Sequence, residues 1–382
     1  MDRFTTIDLD VTGECNLACT YCYRRSWATA GLGGHMRRET AARAVRWFIR
    51  QAPKSRLGIN FMGAEPLCAL DVIEFVMEYS SKRAAARGIE IVFSGSTNCT
   101  LIDERVLALV KRGLKLNLSL DGTPEAHDKC RVFADGSGSS RAAFEGASKY
   151  LSVTPGEARM TVSPETAALM ADGVAHLRTM VSEIAIDADL GAKWTGAKLK
   201  SLAAAWRSAA DHYILAMSQG APFYLSPLEK GIRAWLKRRR PDEQCGAARQ
   251  YAGIALDGGI YPCHRFTGQE AFRLGDVRDG VDESKLAAWR TYRARYDARP
   301  VVGDCTSCPA VITCKGGCPA ANHTATGDVR SPSPVSCEIR KIVAREALRA
   351  VYILTHDDDA APIFGEYISG RLKPAAPSIG CC

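Results

Sequence analysis

Three cysteines near the N-terminus, Cys15, Cys19 and Cys22, lie in one short loop at spacings suited to a metal cluster. Three thiolates this close, with no fourth cysteine in reach, are expected to hold three irons of a 4Fe-4S cluster and leave the fourth iron open. The alternatives are a tetrahedral zinc site or reduced core thiols, but structural zinc sites usually have four protein ligands at paired spacings. The loop therefore predicts an iron–sulfur centre that binds an outside ligand.

A second cysteine array occupies the C-terminal half of the chain. Its spacing is Cys-x12-Gly-x4-Cys, then Cys-x2-Cys-x5-Cys-x3-Cys, then a single Cys, and its cysteines are Cys245, Cys263, Cys305, Cys308, Cys314, Cys318 and Cys337. The chain is long and shows no signal-peptide pattern at its N-terminus, so its fifteen cysteines favour metal ligands kept reduced in a cytosol over a disulfide framework.

The N-terminal loop resembles that of the radical S-adenosylmethionine (SAM) enzymes, whose open iron chelates the amino and carboxylate groups of SAM. Residues 63–66, Gly-Ala-Glu-Pro, resemble the family's Gly-Gly-Glu-Pro loop, which meets the SAM amino group. The resemblance implies that Tyr21, Gly63 and Glu65 bind the cofactor. A strand-terminating turn would explain the glycine and the proline alone.

Two further segments match the same family in order. Residues 97–99, Thr-Asn-Cys, resemble its Thr-Asn-Gly turn, and residues 119–131 resemble the Ser-Leu-Asp-Gly and His-Asp-x-x-Arg motifs of the SPASM subfamily. The resemblance implies that Ser119 and Arg131 hold the SAM ribose or carboxylate, and arginine suits a carboxylate through its bidentate fork. An Asp-Gly turn followed by a solvated arginine remains the alternative.

The second array resembles the seven-cysteine SPASM pattern, which implies two auxiliary 4Fe-4S clusters. Carried over, one cluster is held by Cys305, Cys308, Cys314 and Cys337. The other is held by Cys245, Cys263 and Cys318, and three thiolates leave an open iron there. A soft open site binds thiolate well, so a substrate cysteine is its expected guest.

The residue after Cys263 bears on the reaction. Anaerobic sulfatase-maturating enzymes, which the chain resembles more distantly, carry an aspartate base at this position, whereas this chain has His264. Residues 261–268 look more like those of the thioether-forming peptide maturases. His264 is a candidate base, and a structural role for it is the alternative.

Short apolar runs alternate with helical stretches from residue 4 to about 190, which predicts an α/β fold with six βα units. The chemistry of such a barrel is expected at the C-terminal ends of its strands. The predicted strands are 5–10, 57–62, 89–94, 114–120, 159–163 and 183–187, and helices are expected at 39–51, 192–217 and 228–239. The predicted segments are a partial (β/α)6 TIM-type barrel over 1–190, a helical bridge over 191–244, a cysteine-rich SPASM domain over 245–345, and a C-terminal helix with a mobile tail over 346–382.

The family resemblance implies a radical SAM/SPASM peptide maturase that cleaves SAM to a 5'-deoxyadenosyl radical and crosslinks a cysteine of a ribosomally made peptide as a thioether. The alternatives are oxidation of Cys or Ser to formylglycine, carbon–carbon crosslinking, and a non-catalytic iron–sulfur electron carrier. The expected cofactors are three 4Fe-4S clusters and SAM.

The expected partners are a Cys-containing precursor peptide and a low-potential electron donor of the flavodoxin or ferredoxin type. Because the chain starts at its first predicted strand, a leader would be recognised by a separate protein or by the SPASM face, if it is recognised at all. Part of the net charge of +8 lies in the basic run 237–240, which is usually a solvated helix end; the alternative is a docking surface for an acidic peptide or reductase. No nucleic-acid or membrane partner is expected, and the predicted location is cytoplasmic.

Overall fold

The first strand shows how the sequence assigns the two faces of the sheet. In β1 (Thr6–Thr12), Ile7, Leu9 and Val11 are buried in the core. Asp8 and Asp10 alternate with them and therefore lie on the opposite face. The computed structural model describes residues 4–24, 33–52, 55–237, 245–298, 305, 307–314 and 316–374.

All six predicted strands are confirmed, with ends that differ by at most three residues. They are β1, β2 (Arg56–Gly63), β3 (Glu90–Thr97), β4 (Leu114–Leu118), β5 (Glu157–Val162) and β6 (Glu183–Ala188). Each pairs in parallel with the next. The chain is therefore an α/β protein built on successive βα units.

Helices connect the strands and cover the apolar face of the sheet. In the first half they are α1 (Arg38–Arg50), α2 (Leu70–Ala85), α3 (Glu104–Lys111), α4 (Pro124–Asp128), α5 (Ser140–Leu151) and α6 (Met170–Arg178). In the second half they are α7 (Gly196–Ser218), α8 (Leu228–Leu236), α9 (Glu283–Ala298), α10 (Pro319–Thr326), α11 (Pro334–His356) and α12 (Ala360–Ile368). The predicted helices at 39–51 and 192–217 correspond to α1 and α7. The one at 228–239 corresponds to α8, and its last two residues lie outside the described chain.

The segment 191–244 is not purely helical as predicted, because a seventh strand, β7 (Tyr224–Ser226), lies between α7 and α8. It pairs in parallel with β6. Three residues are too few to show a strand periodicity in the sequence. Pairing with the edge of β6 is what makes this segment a strand.

The cysteine-rich half extends the same sheet. Its strands are β8 (Tyr251–Ile254), β9 (Gly259–Tyr261), β10 (Gly275–Asp276) and β11 (Gly280–Val281). β8 pairs in parallel with β1, and β9 to β11 follow as antiparallel neighbours. The order β11-β10-β9-β8-β1-β2-β3-β4-β5-β6-β7 leaves the sheet open among the described residues, as expected for a partial barrel.

The C-terminal helix begins earlier than the predicted segment boundary. α11 runs from Pro334 through residue 345 to His356, so Cys337 lies in its first turn. Glu229, which is fully buried on α8, accepts a hydrogen bond from Tyr367 on α12 at 2.6 Å and pairs with Arg233 at 2.7 Å. The C-terminal helices are therefore fixed to the helices that follow the barrel strands.

Two apolar features bear on the domain organisation and on membrane association. The buried side chains form one core cluster that includes residues of both the βα units and the cysteine-rich half. No helix within the described ranges is long and apolar enough to cross a membrane. The predicted segment boundaries and the tail, of which 375–382 lies outside the described residues, stay predictions.

Two helix glycines should respond oppositely to substitution by alanine. A Cβ on Gly146 of α5 would lie 1.9 Å from the carbonyl oxygen of Cys99. Gly146→Ala should therefore lower the free energy of unfolding by about 1–3 kcal/mol through overpacking. A Cβ on Gly365 of α12 would have no neighbouring atom within 4 Å, so Gly365→Ala should raise the free energy of unfolding by about 0.5–1 kcal/mol. Urea unfolding measures the free energy of unfolding of both variants. The same change in both would contradict the close contact of α5 with the Cys99 turn.

Candidate functional site

The loop after β1 brings the three N-terminal cysteines together. The backbone N–H groups of Ala18 and Thr20 donate to the carbonyl oxygens of Val132 and Cys130 at 2.7 and 2.9 Å, which fixes the loop against the segment that follows β4. Burial is the largest cause that raises the pKa of the Cys15 thiol to about 12 and that of Cys19 to about 11.

The same thiols are electrostatic neighbours of one another. Cys19 raises the pKa of Cys15, and Cys22 raises the pKa of Cys19. The three predicted ligands are therefore close enough to interact. Soft sulfur donors on one loop fit an iron–sulfur cluster. No group of three or more His, Cys, Asp or Glu side chains in the described part of the chain is arranged to hold a single metal ion.

Glu65 links the second and third βα loops. Its side chain is buried, and its two carboxylate oxygens accept hydrogen bonds from the N–H of Leu67 at 3.1 Å and of Asn98 at 2.7 Å. Burial raises the pKa of Glu65 to about 7, against the lowering effect of these two bonds. The carboxylate therefore lies between the second and third βα loops. A turn that only ended the strand would not need a carboxylate there.

Gly63 is needed where β2 passes the end of β1. Its φ is +135°, and a Cβ there would lie 2.3 Å from the carbonyl oxygen of Thr12. The next N–H, that of Ala64, donates to the same oxygen at 3.0 Å. Glycine at this position thus allows the first two loops to approach each other closely.

The third loop keeps its turn although cysteine stands where the related motif has glycine. Cys99 adopts φ +69°, the left-handed conformation that glycine would take most easily. The adjacent Asn98 donates from its side chain to Asn16 at 2.9 Å, and Asn16 donates to Thr100 at 2.8 Å. Amide side chains therefore fasten this loop to the cysteine loop.

Asp121, just after β4, makes several of the hydrogen bonds that hold the fourth loop. Its carboxylate accepts hydrogen bonds from the Tyr21 hydroxyl, from Arg131 Nε at 2.9 Å and Nη2 at 3.2 Å, and from the Thr161 N–H at 2.8 Å. The positive Arg131 also acts on Cys19, whose pKa it lowers against the larger effect of burial. Arg131 is thus held by a protein carboxylate, a partner that the sequence did not indicate.

The remaining polar residues of this loop have plainer roles. His127 lies near the Asp121 N–H at 3.3 Å and Ser139 Oγ at 3.1 Å. Burial lowers its pKa to about 4, so it is a neutral histidine with hydrogen-bonding partners inside the loop. Ser119 is half-buried beyond the end of β4, and its hydroxyl makes no hydrogen bond to another described residue.

The second array separates into two groups of neighbouring thiols. Burial is the largest cause of the raised pKa of Cys263; a hydrogen bond with the Arg265 backbone lowers this pKa, and the neighbouring Cys318 and Cys245 raise it further. The pKa of Cys337 is raised by burial and by the three remaining cysteines, Cys314, Cys305 and Cys308, while Lys341 lowers it. The assignment of these cysteines to two auxiliary clusters stays a prediction.

Two aspartates of β1, which the sequence reasoning missed, join the two cysteine regions. Asp8 pairs with His264 at 2.9 Å and accepts a hydrogen bond from Asn60 at 2.8 Å. Burial alone would raise the pKa of Asp8, but His264 and these hydrogen bonds hold it below its usual value. Asp10 pairs with Arg24 at 3.1 Å, and Arg24 donates to the backbone oxygen of His264. The sequence did carry a signal for these residues, since Asp8 and Asp10 alternate with apolar residues along β1.

Replacing Asp121 by Asn should strongly destabilise this site. The substitution leaves the buried Arg131 guanidinium without its counter-charge, and breaking a buried pair from one side costs about 3–5 kcal/mol. The urea midpoint of the reconstituted protein should fall accordingly. Asp71→Asn, which breaks an exposed pair with Arg105, is the matched control and should have little effect. Equal midpoints for both variants would contradict the role of Asp121.

Comparisons with known proteins agree with this geometry. Residues 9–167 match the Radical SAM superfamily model. An uncharacterized protein of Methanocaldococcus jannaschii is 29% identical over 147 residues, which is 38% of this chain and 48% of that protein, so the chain spans about half of that relative's length. GTP 3',8-cyclase of Mycobacterium marinum is 26% identical over 76% of this chain and 84% of its own. A cysteine-type anaerobic sulfatase-maturating enzyme of Clostridium novyi is 31% identical over 34% of this chain and 35% of its own.

Solved structures share the fold over most of the chain. Native anSMEcpe with bound AdoMet and Cp18Cys peptide has a TM-score of 0.75 and 21% identity, and the match covers 91% of this chain and 98% of that one. SuiB of Streptococcus suis bound to S-adenosylmethionine has a TM-score of 0.58 and 14% identity, and the match covers 88% and 77%. Residues 9–167 therefore form a domain of the Radical SAM superfamily, and the chain as a whole shares the fold of these solved structures.

Proposed function

We propose that this enzyme is a peptide maturase that joins a cysteine sulfur of a ribosomally made peptide to a carbon atom as a thioether. A peptide substrate is supported by the likeness of the fold to anSMEcpe, which was solved with a peptide bound. The matched GTP 3',8-cyclase, by its name, acts on a nucleotide instead. The three neighbouring thiols Cys245, Cys263 and Cys318 favour a thiol-containing substrate over a nucleotide.

The observation that carries the proposal is the three-thiol group of Cys245, Cys263 and Cys318. Cys263 is buried next to Asp8, which lies on the face of β1 opposite the apolar core. A metal site with three protein thiolates would have room for a fourth soft ligand, and metal coordination removes the proton of a thiol. A peptide cysteine bound there would be both deprotonated and oriented.

At the N-terminal site, the proposal assigns Cys15, Cys19 and Cys22 to a cluster that also binds SAM. When bound, this pair of cofactors would supply one-electron cleavage of SAM and removal of a hydrogen atom from the substrate. The protein contributes orientation: Glu65 presents a buried carboxylate at the loop cluster, and Asp121 holds Tyr21 and Arg131 beside Cys19.

Gly63 and Ser119 complete the proposed cofactor contacts. Gly63 lets the loop that carries Glu65 approach the cysteine loop, because no side chain fits between its Cα and Thr12. Ser119 has a hydroxyl without a hydrogen bond to another described residue, so it can bind the ribose or carboxylate of SAM. Arg131 contributes positive charge close to Cys19 while its Nε and Nη2 remain on Asp121.

Sulfatase-type oxidation of Cys or Ser to formylglycine is the second candidate, and one observation favours it. Position 264 lacks the aspartate of the sulfatase-maturating enzymes, but Asp8 brings a carboxylate to 2.9 Å from His264 Nδ1. A carboxylate is thus present at this location, although it comes from β1. Carbon–carbon crosslinking has no comparable observation in its favour. Membership of an enzyme superfamily argues against a purely electron-carrying protein.

The three proposed clusters predict the iron content and how it divides. Anaerobically reconstituted protein should hold about twelve irons per chain, since each 4Fe-4S cluster has four. Replacing Cys15, Cys19 and Cys22 by Ala should remove about four irons and abolish SAM cleavage, because no ligands remain for the SAM-binding cluster.

Similar triple replacement of Cys245, Cys263 and Cys318 should remove about four irons and leave the first cluster in place. Cys130→Ala is the control and should lose none, because the Cys130 thiol is buried against Ser163, and its contact with the N-terminal cysteine loop is made by the backbone carbonyl, which alanine keeps. Total iron near four per chain in the intact protein would rule out both auxiliary sites.

The product distinguishes thioether formation from its rivals. With a Cys-containing peptide, the product should be lighter by two hydrogen atoms and should resist thiol alkylation, since its sulfur is already bonded to carbon. The same peptide should perturb the EPR signal of the auxiliary clusters, whereas its Cys→Ser form should not, because a hydroxyl is a poorer ligand for a soft metal. Mass spectrometry and EPR provide the measurements. An aldehyde product would establish the oxidase function instead.

A further inference from the structure

A concave surface lined by four arginines lies outside the site described above. Arg43, Arg46 and Arg50 of α1 line it together with Val277 and Arg278, and its volume is about 670 Å³. We call this surface the arginine basin. The three helix arginines are spaced three and four residues apart, which places them on one face of α1.

The other wall of the basin is the turn between β10 and β11. A Cβ on Gly258, in the turn between β8 and β9, would lie 2.8 Å from Val277 and 3.3 Å from Thr40 of α1. One on Gly280 of β11 would lie 3.9 Å from the Trp47 indole nitrogen. The hairpin and α1 are therefore in close contact, and the basin is a feature of two packed elements.

The basin carries positive charge that no described carboxylate neutralises. In the described part of the chain, no carboxylate lies within ion-pair distance of Arg43, Arg46, Arg50 or Arg278. Asp276, the acidic residue of β10, pairs with Arg273 at 2.9 Å. Arg46 donates to the Tyr79 hydroxyl at 2.9 Å, which is a neutral acceptor. Like charges on one helix face repel each other, so a partner with carboxylates would relieve this repulsion.

Both cysteine regions are close to the basin along the chain. α1 follows the loop of Cys15, Cys19 and Cys22, and its first turn contacts the β8–β9 turn through Thr40. β10 pairs with β9, which ends at Tyr261, two residues before Cys263. A protein bound at the basin would therefore rest on the two elements that connect directly to the proposed clusters.

We propose that the arginine basin is the docking surface for an acidic one-electron carrier protein with a flavin or iron–sulfur centre. The proposal rests on the proposed function, which requires an external electron. The reduced carrier would lose one electron, a cluster held by the cysteines of this chain would gain it, and no covalent bond would form or break. Steering between opposite charges would raise the association rate of such a carrier and make it dependent on salt.

The test compares a protein reductant with a small one. In the variant Arg43→Glu/Arg50→Glu/Arg278→Glu, reduction by a purified acidic flavodoxin should be about tenfold slower at low ionic strength, with a weaker salt dependence. Reduction by dithionite should be unchanged, because this small reductant needs no docking surface. Arg46 is left in place since it bonds Tyr79. Stopped-flow absorbance of the clusters gives both rates.

A matched variant controls for net charge. Arg112→Glu/Arg141→Glu/Arg345→Glu makes the same change of charge at exposed arginines elsewhere, and it should reduce at the wild-type rate with both donors. The docking proposal is overturned if the basin variant keeps its rate with flavodoxin, if the control variant slows equally, or if dithionite reduction falls in parallel. Absence of SAM cleavage by the dithionite-reduced wild type would refute the proposed function alone.

Discussion

Two buried carboxylates on β1 are the constraint on which both cysteine regions depend. Asp8 and Asp10 are 7% and 0% exposed, and a carboxylate removed from water is tolerated only with a partner. Asp8 forms an ion pair with His264, the residue after Cys263, and Asp10 forms one with Arg24, which follows the N-terminal cysteine loop. Because one short strand carries both pairs, the position of each cysteine region is coupled to that of the other.

The loops above the strands are joined to one another by side-chain hydrogen bonds. Glu65 accepts from the third loop, Asn98 donates to the first, and Asp121 binds residues of the first loop and β5. Such mutual hydrogen bonding explains how the site accommodates two departures from the related motifs. Ala64 needs only its backbone N–H, and Cys99 is held at a positive φ.

The extended sheet gives the second cysteine array its place. β8 pairs with β1 on the side away from β2, so the Cys263 loop is attached to the same sheet that carries the N-terminal loop. Burial raises the pKa of Cys263 in one group and of Cys337 in the other, and metal binding would have to remove the protons of these thiols. The two groups are the predicted ligand sets of the auxiliary clusters.

The sequence by itself determined the six βα units, the cysteine groups and the loops that carry Glu65 and Asp121, because periodicity and ligand spacing are local properties of the chain. It could not indicate β7, which becomes a strand through pairing with β6, or the continuity of β8 with β1. Nor could it show that Arg131 is held by Asp121, or that Asp8 meets His264 across more than two hundred residues. These partners were decided by the tertiary structure, since a buried charge is paired with whatever group the fold brings within reach, however distant in the chain.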